Sequence, residues 1–175
     1  MDLLPPEALE SRDTTGAPVP DARADSSGVV FPPPFVYALG FGIGYALDRL
    51  KPAPVGVDGG ARTLLGWVLA GAGVALAASA IVLFRRAGTS PVPIQPTTAL
   101  VVRGPYRLTR NPMYIGLAAL YVGVTLLINS LWPLVVLPVV LIVIRWWVIA
   151  REEAYLERKF GDEYRAYQAR VRRWL

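Results

Sequence analysis

Four apolar stretches separated by polar, proline- and glycine-rich breaks run along the chain from Phe31 to Ala150, and an amphipathic stretch follows them to the C-terminus. The first, about residues 33–50, opens on Pro32-Pro33-Pro34, where proline is tolerated because first-turn amides have no partner inside a helix. Its rise is roughly 25 Å at about 1.5 Å per residue, which reaches across a hydrocarbon core of about 30 Å only if its flanks snorkel or the bilayer thins. The second, about 63–84, has the length of a full span, and Gly66, Ala70, Gly73, Ala77 and Ala80 line one of its faces. That stripe is the predicted partner of Gly40 and Gly44 on the first helix, since small residues let membrane helices approach closely. A third span, about 113–128, carries Gly116, Ala119 and Gly123 on one side. Asn129-Ser130 then makes a turn so short that the fourth span, about 131–150, must return beside the third as an antiparallel hairpin, with a kink predicted at Pro138.

Beyond Ala150 the pattern changes. Leu156, Phe160, Tyr164, Tyr167, Val171 and Trp174 recur every three or four residues among arginines and acids, the pattern of a helix lying in a membrane interface. Gly161 followed by Asp162 predicts a helix stop and a new N-cap, hence two short helices. At the other end, residues 1–28 hold six acids, several prolines and few bulky apolar groups, and read as a disordered acidic tail lacking the pattern of a signal peptide. Residues 29–175 then form one domain. The predicted fold class is all-α integral membrane: four transmembrane helices, a cytosolic Arg/Pro-rich loop over 85–112, and a C-terminal amphipathic interfacial segment over 151–175.

Composition and charge sharpen this picture. At 175 residues and 54% apolar, with mean hydropathy +0.41, the chain is too apolar for an ordinary soluble domain. Lys and Arg number five from Arg85 to Arg110 and seven after Ala150, against none at Asn129-Ser130 and three around the first loop, so the positive-inside rule places 85–112 and the C-terminus in the cytosol, and four spans place the N-terminus there too. A bacterial inner membrane fits that arrangement. The absence of both histidine and cysteine removes the usual general base and the commonest zinc ligands, excluding a His-dependent hydrolase, a zinc enzyme and thiolate chemistry; no metal is predicted. The pI near 9.8 reflects basic residues flanking apolar spans, so nucleic acid is not a predicted partner and membrane lipid is.

Two clusters carry candidate chemistry. Arg103 to Gly116 sets three arginines and two tyrosines around Pro105 and Pro112 with no acid among them. Arg110 and Asn111 place donors there, Tyr106 and Tyr114 place aromatic faces with hydroxyl tips, and Gly116 allows close approach. Such a wall suits a cationic cofactor, because a sulfonium is attracted to an aromatic face and a carboxylate pairs with arginine. The second cluster is Arg145 with Arg151-Glu152-Glu153. Arg145 follows fourteen residues without a polar side chain, Leu131 to Ile144, and an ionisable group at that depth is a functional candidate by default. The two carboxylates can accept hydrogen bonds from ribose hydroxyls or an amino group.

Gly104-Pro105-Tyr106, Arg110-Asn111-Pro112-Met113-Tyr114-x-Gly116, a two-span hairpin, Glu152-Glu153 and Phe160-Gly161-x-x-Tyr164-x-x-Tyr167 together resemble the integral-membrane isoprenylcysteine carboxyl methyltransferase and phospholipid methyltransferase group. Arg86-Ala-Gly-Thr-Ser-Pro-Val-Pro is similar to bacterial members. The resemblance covers about residues 85–174. It implies S-adenosylmethionine bound at the cytosolic membrane face by the loop before span three and the helix after span four, with a lipophilic acceptor entering from the bilayer. The expected cofactor contacts are Tyr106, Arg110, Asn111, Pro112, Tyr114, Gly116, Glu152, Glu153, Tyr164 and Tyr167, and Arg145, Arg151 and Asn111 are the catalytic candidates, with Arg145 and Arg151 facing the acceptor or the cofactor carboxylate. Many relatives have histidine where this chain has Asn111, which cannot titrate near neutrality; a proton-transfer role for that position is therefore closed. Two other readings remain open on sequence: a nicotinamide-dependent membrane reductase of the sterol and steroid type, which shows a related Arg-x-Pro-x-Tyr-x-Gly loop, and a non-enzymatic helical protein binding lipid or a partner through its basic face. The acceptor and the oligomeric state are not readable from the sequence.

Overall fold

The computed structural model describes residues 27–29, 31–90 and 95–174, and the described residues form helices joined by loops, with no strand. The predicted acidic tail lies outside the described residues up to residue 26. Pro33–Leu50 forms α1, Gly59–Arg86 α2 and Pro112–Leu127 α3. A continuous helix follows, built of α4 (Trp132–Val143), a wider π turn over Ile144–Ile149, and α5 (Ala150–Arg170). α2 starts earlier than its apolar run because Asp58 caps it, accepting from the amides of Gly60 at 3.0 Å and Ala61 at 3.1 Å. α4 stays helical through Pro138, and the departure from α geometry comes at the π turn instead.

Among the described residues two helices are long and apolar enough to cross a membrane, α2 and the helix beginning at Trp132; α3 is a shorter apolar helix. Their outward surfaces match that reading. Trp67 on α2 is 66% exposed and Val139 on α4 is 60% exposed, with Leu64, Val68, Val135 and Ile142 also facing out. A soluble domain would have buried this much apolar surface; a bilayer solvates it.

The helices pair otherwise than their small-residue stripes predict. α2 packs along α3, and α1 packs along α4. A Cβ added to Gly73 would lie 2.5 Å from the carbonyl oxygen of Gly116, and one added to Gly123 would lie 2.5 Å from the amide of Ala70. On α1, a Cβ at Gly44 would lie 2.5 Å from the Cα of Pro133, and one at Gly40 would strike the Val140 side chain. So the Gly66/Ala70/Gly73 face meets the Gly116/Gly123 face of α3, and the Gly40/Gly44 face receives Pro133 and Val140. α1 reaches α3 through polar tips as well, the Tyr37 hydroxyl donating to the Tyr114 carbonyl at 3.0 Å.

The turn at Asn129-Ser130 is as tight as expected, with Asn129 in the left-handed region at φ 56°. The predicted break at Gly161 is also present, as a kink with φ 52° and ψ −123° inside α5. The expectation that the amphipathic helix continues to Trp174 fails. Val171 turns to extended geometry, φ −123° and ψ 130°, and residues 171–174 leave α5 as a strap. Its carbonyls are held by the loop before α3: the amide of Arg110 donates to the carbonyl of Arg172 at 2.9 Å, and Thr109 Oγ1 donates to the carbonyl of Arg173 at 3.1 Å.

Candidate functional site

Where α2 ends, the chain from residue 95 to Asn111 folds over the start of α3 and is held there by α5 and the strap. Gly104–Arg107 forms a single 3-10 turn that drops Tyr106 inward against Phe84, ring centroids 5.5 Å apart, and the Tyr167 hydroxyl donates to the Tyr106 carbonyl at 2.7 Å. The Tyr155 hydroxyl accepts from the Thr97 amide at 3.0 Å. Between these elements lies a cleft partly open to solvent.

The cleft gathers most of the residues singled out by sequence. Tyr106, Arg110, Asn111 and Tyr114 line it from the loop and the start of α3, and Glu152, Glu153, Tyr164 and Tyr167 line it from α5. Glu153 is buried and ion-paired on two sides, to Arg110 at 3.3 Å and to Arg173 through two nitrogens of its guanidinium. Arg110 keeps one nitrogen in reserve: its Nε is buried and has no hydrogen-bond partner among the described residues. Glu152 Oε1 accepts from the Tyr114 hydroxyl at 2.7 Å.

Electrostatics separate the two carboxylates. Burial pushes the Glu152 carboxyl up to about 7; the hydrogen bond from Tyr114 opposes that shift and the nearby Glu153 adds to it. Burial also raises the phenols of Tyr106, Tyr164 and Tyr167, so all three stay protonated donors at neutral pH. Glu152 is therefore a cleft group that changes charge near neutrality. The raised value fixes the sign of its effect on stability: between its ordinary range and about pH 7 the folded protein holds a proton that the unfolded chain has lost, so stability falls as pH rises through that window. Melting midpoints in detergent are expected to drop from pH 5 to pH 8 more steeply for the wild type than for Glu152→Gln. Parallel curves for the two would show that Glu152 is not held in this environment.

Five candidates sit elsewhere or are otherwise occupied. Gly116 does not face the cleft: its open side is filled by α2, where a Cβ would lie 2.7 Å from the carbonyl of Gly73, so the close approach it permits is helix to helix. Pro112 is fully buried as the first-turn proline of α3. Arg151 is exposed, donating to the Gly28 carbonyl at 3.1 Å and lying over the Trp147 ring. Arg145 is exposed over the Trp146 ring, outside the cleft. Asn111 does line the cleft, but its Nδ2 donates to the Arg173 carbonyl at 2.9 Å, which ties it to the strap.

Sequence reasoning missed the apolar side of the cleft. Phe84, Leu100, Val101 and Met113 line it, with Tyr155 and Leu156 from α5. Val101 in an irregular, proline-rich segment carries no periodic signal, although Tyr155 could have been found: it lies three residues after Glu152 and so on the same helical face.

Comparison with known proteins identifies the family. The model of the phospholipid methyltransferase family matches residues 61–163, which takes in α2, the cleft loop, α3, α4 and most of α5. An uncharacterized protein of Haemophilus influenzae is 52% identical over 64 residues, which are 36% of this chain and the whole of that protein. No solved structure matches. With the family match extending over more than half of its length, the chain belongs to the phospholipid methyltransferase family.

Proposed function

We propose that this protein transfers a methyl group from S-adenosylmethionine to a lipid-like acceptor at the cytosolic face of a bacterial inner membrane, as a four-span protein with residues 85–112 and 151–175 in the cytosol. The observation that carries this reading is the cleft itself, where an arginine with an unpartnered buried nitrogen, two carboxylates, Tyr106, Tyr114 and Tyr155 converge from the family's matched segment, with Tyr164 and Tyr167 just beyond it. α1 and α3, too short or marginal on length alone, count as spans because α1 packs along α4 and α3 along α2.

The residues present fit the cofactor. Arg110 Nε is a buried donor awaiting an acceptor, which a carboxylate supplies. Tyr106, Tyr114 and Tyr164 offer ring faces to a cation, and Glu152 offers a carboxylate that can balance a positive charge or accept from hydroxyls. When bound, the cofactor supplies an electrophilic methyl group on a sulfonium. The chain's own contribution is alignment and exclusion of water: the loop, the strap and α5 enclose the site, and methyl transfer depends mainly on in-line geometry. For an acceptor that must lose a proton, Glu152 is the available base, because Glu153 is held by two arginines and the phenols are raised.

Calorimetric titration of the detergent-purified protein tests this. Saturable binding of S-adenosylmethionine is expected, weakened about tenfold or more in Arg110→Gln and in Glu152→Gln, about 1.4 kcal/mol each. A reduced nicotinamide dinucleotide is expected not to bind. Folded protein that binds the nicotinamide and not S-adenosylmethionine would replace this reading with the reductase one.

A further inference from the structure

A second concavity lies on the apolar side of the molecule, lined by Ile115, Ala118, Leu141, Ile142, Arg145 and Trp174 and open on one flank. Every lining residue but Arg145 is apolar or aromatic. The Arg145 guanidinium meets no carboxylate among the described residues and has only the Trp146 ring, 5.4 Å from its centroid. An isolated cation beside an apolar groove, directly after an apolar helix, is complementary to one kind of molecule: an amphiphile whose chain fills the groove and whose anionic group meets the guanidinium.

The groove and the cleft are built on the same helices. Arg145 and Glu152 lie seven residues apart on one unbroken helix, about 10 Å along its axis. Ile115 follows Tyr114 on α3, and Trp174 follows Arg173, which grips Glu153. α3 and the helix that begins at Trp132 thus wall both spaces, and the strap that lines the groove is tied to the cleft through the Arg173–Glu153 pair. We infer that this groove seats the methyl acceptor, a lipid whose phosphate or carboxylate is held by Arg145 with its chain between α3 and α4, leaving the end beyond the anionic group to reach the cleft. This rests on the methyltransferase reading and names Arg145 as the residue that selects the acceptor's charge. It also places Arg145 away from the cofactor, so its substitution is expected to leave cofactor affinity unchanged.

The test uses the purified protein in neutral detergent, with transfer of tritiated methyl from S-adenosylmethionine to a total bacterial lipid extract as the activity. Phosphatidic acid serves as the competitor, and diacylglycerol of the same chains as its uncharged control. Phosphatidic acid is expected to inhibit at least tenfold better than diacylglycerol. Arg145→Gln is expected to abolish that preference and raise KM for the extract about tenfold, while the calorimetric affinity for S-adenosylmethionine stays at the wild-type value and Arg145→Lys recovers part of the preference. Equal inhibition by the two lipids, or a preference that survives Arg145→Gln, overturns the assignment. In parallel, phosphatidic acid carrying a diazirine in its chain is photolysed on the protein. If it labels the Leu141–Arg145 peptide but does not compete with transfer, the groove holds a resident membrane lipid and the acceptor assignment fails. Absence of transfer to the extract by protein that binds the cofactor refutes it too, whereas failure of cofactor binding is a failure of the methyltransferase reading, read separately by calorimetry.

Discussion

Glu153→Gln is expected to destabilise the protein by about 3 kcal/mol and to abolish detectable cofactor binding. Glu153 is 7% exposed and is the common anion of Arg110 and Arg173, whose side chains are 13% and 31% exposed. Removing one member of a buried ion pair costs roughly 3–5 kcal/mol because the partner charge is left without compensation. The partial exposure of Arg173 places the cost at the lower end, since its head can turn to water, but Arg110 cannot escape in the same way. Three pieces meet at that carboxylate: the loop through Arg110, α5 through Glu153 itself and the strap through Arg173. Losing the charge therefore loosens the wall of the cleft as well as one contact in it. Arg173→Gln is the instructive comparison, because it keeps the Arg110 pair and the strap's backbone bonds from Arg110 and Asn111; its cost is expected near 1 kcal/mol. Unfolding in mixed dodecyl sulfate micelles measures both. A Glu153→Gln variant within 1 kcal/mol of wild type would mean that the ion-paired junction does not form in solution.

The clustering at this junction explains how much of the site was readable in the sequence. Arg110, Tyr114, Glu152 and Glu153 are conspicuous because each is polar or amphipathic at the edge of an apolar helix, where burial has to be justified by a partner or a ligand. Spacing along a helix then brings Glu152, Tyr155 and Leu156 to one side. What could not be read is anything mediated by the main chain. The strap is held by the carbonyls of Arg172 and Arg173, and a carbonyl has no side-chain signature; its amphipathic residues fit a continuing helix equally well. Asn111 looked like a replacement for a titrating group and is instead spent on one of those carbonyls. Arg145 clusters with the glutamates along the sequence, but the π turn at Ile144–Ile149 changes the residues per turn between them, so faces extrapolated across it do not coincide.

Helix pairing failed to be legible for a related reason. Small-residue stripes on α1, α2 and α3 are interchangeable in sequence, and any two satisfy the rule that backbones approach where side chains are small. The choice is made by what each stripe actually receives. Gly44 has Pro133 against it, a bulky ring that needs a bare helix surface opposite, and this commits α1 to α4. α2 and α3 are then left to each other. Their contact is backbone on backbone, since the carbonyl of Gly73 faces Gly116 and the carbonyl of Gly116 faces Gly73.

That reciprocity makes Gly73→Val the substitution with the largest expected effect on the fold. Even a single added Cβ would lie 2.5 Å from the Gly116 oxygen and 2.6 Å from the Leu120 amide, both main-chain atoms that cannot rotate aside. The helices must separate, and separation opens the interface at Gly66/Gly123 on one side and at Ala80 beneath Tyr106 on the other. Overpacking a core typically costs about 1–3 kcal/mol when side chains can adjust; here the obstructing atoms are backbone, so Gly73→Ala is expected at the top of that range and Gly73→Val beyond it. Gly71, two residues earlier on the same helix, has nothing within 4 Å of its would-be Cβ. Gly71→Ala is accordingly expected to be neutral or slightly stabilising, which controls for helix propensity and for the loss of a glycine as such. Unfolding of the three variants in mixed micelles reads the order directly. Equal stability of Gly71→Ala and Gly73→Ala would dismantle the α2–α3 pairing, and with it the placement of Tyr106 and Tyr114 that gives the cleft its aromatic wall.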